Sequence, residues 1–158
     1  MIKKYLLTFL IGFLSCAVLF YAFSFFGTEI PLVKGLASYN DSAPADWVGE
    51  GDIELYGDRI VLNIANASIS RYAATGSMRP VFDAGANGIR VVPSSEKDIS
   101  VGDIVSFRSF SNLIVHRVVE IGEDEKGVYF ITKGDNNVVD DGRIRFEDIE
   151  YVTVGVIW

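Results

Sequence analysis

The sequence predicts an all-β domain preceded by one membrane-spanning helix. Three observations carry this. Residues 5–26 form an apolar run of 22 residues with no charge, placed directly after Lys3 and Lys4. Beyond it, short stretches of β-branched and aromatic residues alternate with turns rich in glycine and aspartate. No part of that region repeats its apolar residues at helical spacing.

As a helix the first run is about 33 Å long at 1.5 Å per residue, enough to cross a hydrocarbon core of roughly 30 Å. The lysine pair puts its N-terminus in the cytoplasm and everything after Gly27 outside or in a lumen. The competing reading is a cleavable signal peptide, with Ala22-Phe23-Ser24 as its small-x-small site. Residues 27–50 show neither strand nor helix period and read as linker or irregular loop. Gly57-Asp58 then separates residues 52–56 from 59–64 as a two-residue hairpin signal. Alternating apolar residues in such a hairpin ask for a neighbouring surface, and the β domain that follows is the expected one. Further strands are expected at 69–74, 89–92, 104–107, 113–121, 128–132 and 151–158. The division that follows is an anchor over 1–26, a linker and hairpin insert over 27–72, and a β domain over 73–158.

With 158 residues and the anchor set aside, one soluble domain with a real core is accommodated. A formal charge of -7 with no basic cluster argues against a nucleic-acid partner. Cys16 is the sole cysteine, so no intramolecular disulfide and no Cys/His metal site can be assembled, and no cofactor is implied. Asn40-Asp41-Ser42 and Asn66-Ala67-Ser68 match the glycan-acceptor pattern, which suits an external face.

In Thr75-Gly76-Ser77-Met78-Arg79-Pro80 a strand-like run stops at a glycine, and a serine follows just before a proline. Taken alone, Ser77 is a turn residue; as a nucleophile it needs a base. The sole histidine, His116, lies in Leu113-Ile114-Val115-His116-Arg117-Val118-Val119-Glu120-Ile121, on the strand face of Ile114 and Val118. That position also suits a core histidine. An ordinary imidazole, with a pKa near ~6.5, accepts a serine proton at neutral pH, whereas a lysine near ~10.4 does so only when deeply desolvated. Asp135, Asp140 and Asp141 follow in Lys133-Gly134-Asp135-Asn136-Asn137-Val138-Val139-Asp140-Asp141; any of them can orient the ring, or simply form a solvated acidic turn.

These motifs, with Gly102-Asp103-Ile104-Val105-Ser106-Phe107, resemble type I signal peptidases in the form found in archaea and in the endoplasmic-reticulum complex. The likeness covers roughly residues 73–158, about half the chain. Most bacterial members carry a lysine where this chain has His116. The resemblance implies a membrane-anchored serine endopeptidase that cuts exported precursor proteins after a small-x-small motif at the outer or luminal face of a cell or endoplasmic-reticulum membrane. It implies Ser77 as nucleophile, His116 as base, Asp141 as third member with Asp135 a supporting carboxylate, and Thr75 joining the Ser77 N–H as an oxyanion donor. The residues themselves do not choose between Asp135 and Asp141. Lys133 falls to a structural place in its loop, Gly102-Asp103 to a turn without chemistry, and Met78 to packing or groove lining. The long stretch between anchor and serine departs from the family, whose members join the two over a shorter stretch. Two other readings stand beside this one: a catalytically idle tethered β domain that binds a peptide or partner by strand addition, and a maturation protease dedicated to a few surface proteins.

Overall fold

The computed structural model describes residues 42–158, together with Tyr5 and residues 13–15. Tyr5 and residues 13–15 are helical and belong to a separate unit, Met1–Ser38. Most of the anchor expected over 1–26 lies outside the described residues. Among the described residues no helix is long and apolar enough to cross a membrane.

The unit Tyr39–Trp158 is built from strands. β1 (Ile53–Leu55) and β2 (Ile60–Leu62) pair as a two-stranded antiparallel ribbon. The other strands are β3 (Ser68–Arg71), β4 (Asn87–Val91), β5 (Ile104–Ser109), β6 (Asn112–Asp124), β7 (Gly127–Lys133), β8 (Arg143–Ile144) and β9 (Ile149–Ile157). They form one antiparallel sheet in the order β3-β4-β9-β5-β6-β7-β8. The expected all-β class therefore holds. β3 lies before the 72/73 boundary expected from sequence, yet it is the edge strand of this sheet, so the sheet unit reaches further back along the chain. β8, only two residues long, is too short to leave any period in the sequence.

Strand alternation sends neighbouring residues to opposite faces. On β5, Ile104 packs with Met78, Phe82 and Ala86, while Val105 and Phe107 pack with Val91, Val118, Phe130 and Val152. Ile104 through Phe107 are all buried, which is why this strand reads as an unbroken apolar run apart from Ser106.

Asp103 is fully buried and accepts hydrogen bonds from Ala45 N (2.8 Å), Ser100 N (2.9 Å) and Trp47 Nε1 (3.4 Å). The irregular arm at 45–47 is thus pinned to the turn that opens β5, and Trp47 packs against the core. Gly102 leaves room for it: a Cβ there would meet Ser42 O at 2.4 Å, and its φ of 105° is itself one that favours glycine. The turn expected at Gly102-Asp103 is therefore also a latch. Asp103→Ala strands three donors and is expected to destabilise the domain by about 2–4 kcal/mol, at roughly 1–3 kcal/mol per buried unsatisfied group with partial rehydration. Chemical denaturation with limited proteolysis checks this, the new cuts expected near residues 42–47.

The hairpin forms around Gly57-Asp58 as expected, with Tyr56 N donating to Arg59 O at 2.9 Å. Its docking does not follow the expectation. The ribbon shares no pairing with the seven-stranded sheet, and Ile53, Leu55, Ile60 and Leu62 are all exposed.

Candidate active site

β3 stops at Arg71, earlier than the run to residue 74 suggests. One further bond of its ladder forms, Tyr72 N to Ala86 O at 3.0 Å, and then the Tyr72 ring turns in to stack on Phe82 with centroids 4.2 Å apart. The chain leaves the sheet and reaches Ser77 through Gly76, whose φ is 71°. Three anchors hold this elbow. Gly76 N donates to Asp83 Oδ1 at 3.1 Å, Asn136 N donates to Ser77 O at 2.8 Å, and Asn136 Nδ2 donates to Gly76 O at 3.1 Å. Gly134 allows the approach of the two loops, since a Cβ there would lie 2.8 Å from Ser77 O. Asp83 also pairs with Arg79, and the bond from that guanidinium, reinforced by the Gly76 N–H, holds its carboxyl below the ordinary carboxylate range. Its grip on the elbow is therefore present at neutral pH and is lost only as pH falls through that lowered value.

His116 sits on β6, which pairs with β5 along Asn112 to Arg117 and with β7 along Arg117 to Asp124. The exchange falls beside the histidine. β7 ends at Lys133, and the stretch from Gly134 through Asp141 runs past the serine elbow, where Asn136 bonds to Gly76 and Ser77. Over Asn112 to His116, one edge of β6 has no paired strand among the described residues.

Asp141 is the carboxylate that meets the ring. Its Oδ2 lies 2.6 Å from His116 Nδ1 and accepts a second bond from Thr132 Oγ1 at 2.8 Å, while Asp141 N donates to Thr132 O at 2.8 Å. The His116 side chain is 8 % exposed and that of Asp141 19 %. A carboxylate can only accept, so this contact assigns the ring proton to Nδ1 and leaves the Nε2 lone pair free to take a proton. Asp135 is elsewhere: its two oxygens take Arg117 Nε and Nη2, each at 2.8 Å. Arg117 Nη1 also donates to Gly102 O at 2.7 Å, so the pair ties β6, the β5 turn and the 134–141 loop together. Asp140 caps a turn by accepting from Gly142 N at 2.9 Å.

Ser77, His116 and Thr75 line one cavity of about 620 Å³, with Met78, Tyr72 and Asn137 also on its walls. Ser77 Oγ lies 3.2 Å from Thr75 Oγ1, and Ser77 N donates to the same hydroxyl at 3.4 Å. The Thr75 hydroxyl accepts from the Ser77 N–H here and can rotate, so that hydroxyl and N–H are placed to donate to one anionic oxygen. The hydrogen bonds of Ser77 are with Thr75 and Asn136; His116 is not among its partners, and such nucleophile-base contacts commonly tighten only around substrate. Met78, 3 % exposed, both packs in the core and lines the cavity.

Sequence reasoning did not single out Thr132, Arg117, Asn136 or Asp83. Thr132 and Asn136 stand inside or beside the Lys133–Asp141 motif and Arg117 follows His116 directly, so proximity was the one available signal; Asp83 had none.

No protein-family model matches the chain. It is 33 % identical over 90 residues to the signal peptidase complex catalytic subunit SEC11 of Yarrowia lipolytica, covering 52 % of this chain and 51 % of that one. It is 41 % identical over 70 residues to the human signal peptidase complex catalytic subunit SEC11C, covering 42 % and 36 %. A human protein named putative signal peptidase complex catalytic subunit SEC11B is 40 % identical over 77 residues, covering 47 % and 46 %. The chain thus spans about a third to a half of the length of these relatives.

Proposed function

Starting from its relationship to the Ser-His branch of the type I signal peptidases, we propose that this chain is a serine endopeptidase that removes signal peptides from exported precursor proteins. The observation that carries the proposal is the His116 Nδ1 to Asp141 Oδ2 contact of 2.6 Å beside a cavity that His116 shares with Ser77. In this reading Ser77 Oγ attacks the scissile carbonyl as His116 Nε2 takes its proton, and the imidazolium that forms is stabilised by Asp141. The proton then passes to the leaving amine. Water enters and attacks the acyl carbon as His116 takes one of its protons, and His116 returns that proton to Ser77 Oγ as the bond from Oγ to the acyl carbon breaks. The Ser77 N–H and the Thr75 hydroxyl hold the tetrahedral oxyanion.

The open edge of β6 over Asn112 to His116 offers backbone donors and acceptors to an extended precursor chain next to these groups. The apolar run over 5–26 anchors the enzyme, with its N-terminus in the cytoplasm and the sheet domain outside or in the endoplasmic-reticulum lumen. Its relatives are named as subunits of a complex, and partner subunits for this chain are proposed on that ground. The experiment is cleavage of a precursor by the purified full chain in detergent or liposomes, with N-terminal sequencing of the product. A cut after small-x-small at the end of the signal segment is expected; an intact precursor with folded enzyme would count against the reading. In the same assay Thr75→Val is expected to lose about 10²- to 10³-fold in kcat, the usual worth of one oxyanion donor, and to retain measurable turnover. A variant at wild-type rate would remove Thr75 from the oxyanion site.

A further inference from the structure

We infer that the β1–β2 hairpin rests its aliphatic face on the bilayer, in the interface between headgroups and acyl chains. The register pairs Ile53 with Leu62 and Leu55 with Ile60, so all four side chains stand on one face of the ribbon. They are 42, 39, 76 and 66 % exposed in that order, and the opposite face is of another character. There Glu54 accepts from Asn63 Nδ2 at 2.6 Å and from the Tyr56 hydroxyl, and Arg59 lies over the Tyr56 ring at 4.6 Å. Among the described residues no third strand joins this ribbon; a two-stranded ribbon is marginal in water, and a bare aliphatic face makes it more so.

Size argues for lipid over protein as the occupant. Four aliphatic side chains on two three-residue strands offer at most a few hundred Å², short of the roughly 800 Å² per partner of a stable protein interface. A lipid surface demands no matching shape. It is also held close in this reading, which rests on the membrane anchor proposed above: with residues 5–26 in the bilayer, the hairpin follows in the same chain and a weak contact suffices. The free edges of a two-stranded ribbon need polar partners, so the hairpin stops at the interface, about 5–10 Å deep, and does not enter the hydrocarbon core.

The test uses the full chain with Cys16→Ser, reconstituted in phosphatidylcholine liposomes and checked for anchoring by alkaline extraction. Nitroxide is attached singly through Leu55→Cys, Ile60→Cys, Val61→Cys or Val139→Cys, and collisions with lipid-soluble oxygen and a water-soluble nickel chelate are read by spin resonance. The oxygen-to-nickel ratio at 55 and 60 is expected to exceed that at 61 and 139 by about 10-fold, as for a face lying at the acyl boundary. Ratios at 55 and 60 equal to that at 139 would overturn the inference, as would protection of both from oxygen and nickel alike, which would mean a protein cover. Loss of the protein on alkaline extraction would instead strike at the anchor. A second variant guards against misfolding: with the label at Leu62→Cys, adding Leu55→Asp and Ile60→Asp is expected to lower the ratio about 10-fold while precursor-independent labelling of Ser77 is unchanged.

Discussion

Ser77→Ala and His116→Ala are each expected to abolish precursor cleavage, with losses on the order of 10⁶-fold in kcat, and the double variant to be no worse than either alone. Nucleophile and base act as one unit, so removing the second costs nothing once the first is gone. The fold should survive both changes. Ser77 lies on a loop whose anchors are the backbone groups of Gly76 and Ser77 and the side chains of Asp83 and Asn136, none of which involves the serine hydroxyl. His116→Ala opens a space between Phe107 and Asp141 but breaks no strand pairing. Single-turnover cleavage, with circular dichroism as the folding control, measures the effect. A His116→Ala protein that cuts the same peptide at near-normal rate would remove the imidazole from the mechanism.

The second large effect separates the two aspartates. Asp141→Asn is expected to lose on the order of 10⁴-fold in kcat, because an amide can present its NH₂ to the ring and favour the wrong tautomer. Thr132→Val, which removes the second bond to Asp141 Oδ2, is expected to act in the same direction and more weakly. Asp135 acts on the frame instead. Its pair with Arg117 is 9 % and 15 % exposed, and truncating one member of so buried a pair costs about 3–5 kcal/mol. Asp135→Ala should therefore lower stability sharply, and Asp135→Asn, which keeps one hydrogen bond, should lose less stability than Asp135→Ala and less kcat than Asp141→Asn. Thermal unfolding beside kinetics distinguishes the two roles. The reverse ranking in kcat would mean that the carboxylates had been exchanged.

Strand positions were legible because each carries β-branched or aromatic residues between glycine and aspartate turns, as in residues 127–133 and 149–157. The break before Ser77 was legible for the same local reason, since Gly76 and Pro80 punctuate the chain. What could not be read is what each side chain meets at long range. Asp135 and Asp141 are equivalent as letters; Arg117 and Thr132 decide between them, and both become their neighbours only through the β6–β7 register. Asp103 looked like a turn residue, and its role came from an arm 56 to 58 residues earlier in the chain. The hairpin shows the opposite case. Its turn was plain in Gly57-Asp58, but whether its alternating residues find a surface is a tertiary matter, and among the described residues Ile53, Leu55, Ile60 and Leu62 stay exposed.

The central claim, that Ser77 is a nucleophile activated by His116, is tested most directly by mapping the adduct of a serine-directed covalent probe on the full chain by mass spectrometry. The account predicts one dominant adduct on Ser77 that disappears in His116→Ala and is strongly reduced in Asp141→Asn. Labelling of other serines to the same extent, or labelling of Ser77 that persists unchanged without His116, would contradict it.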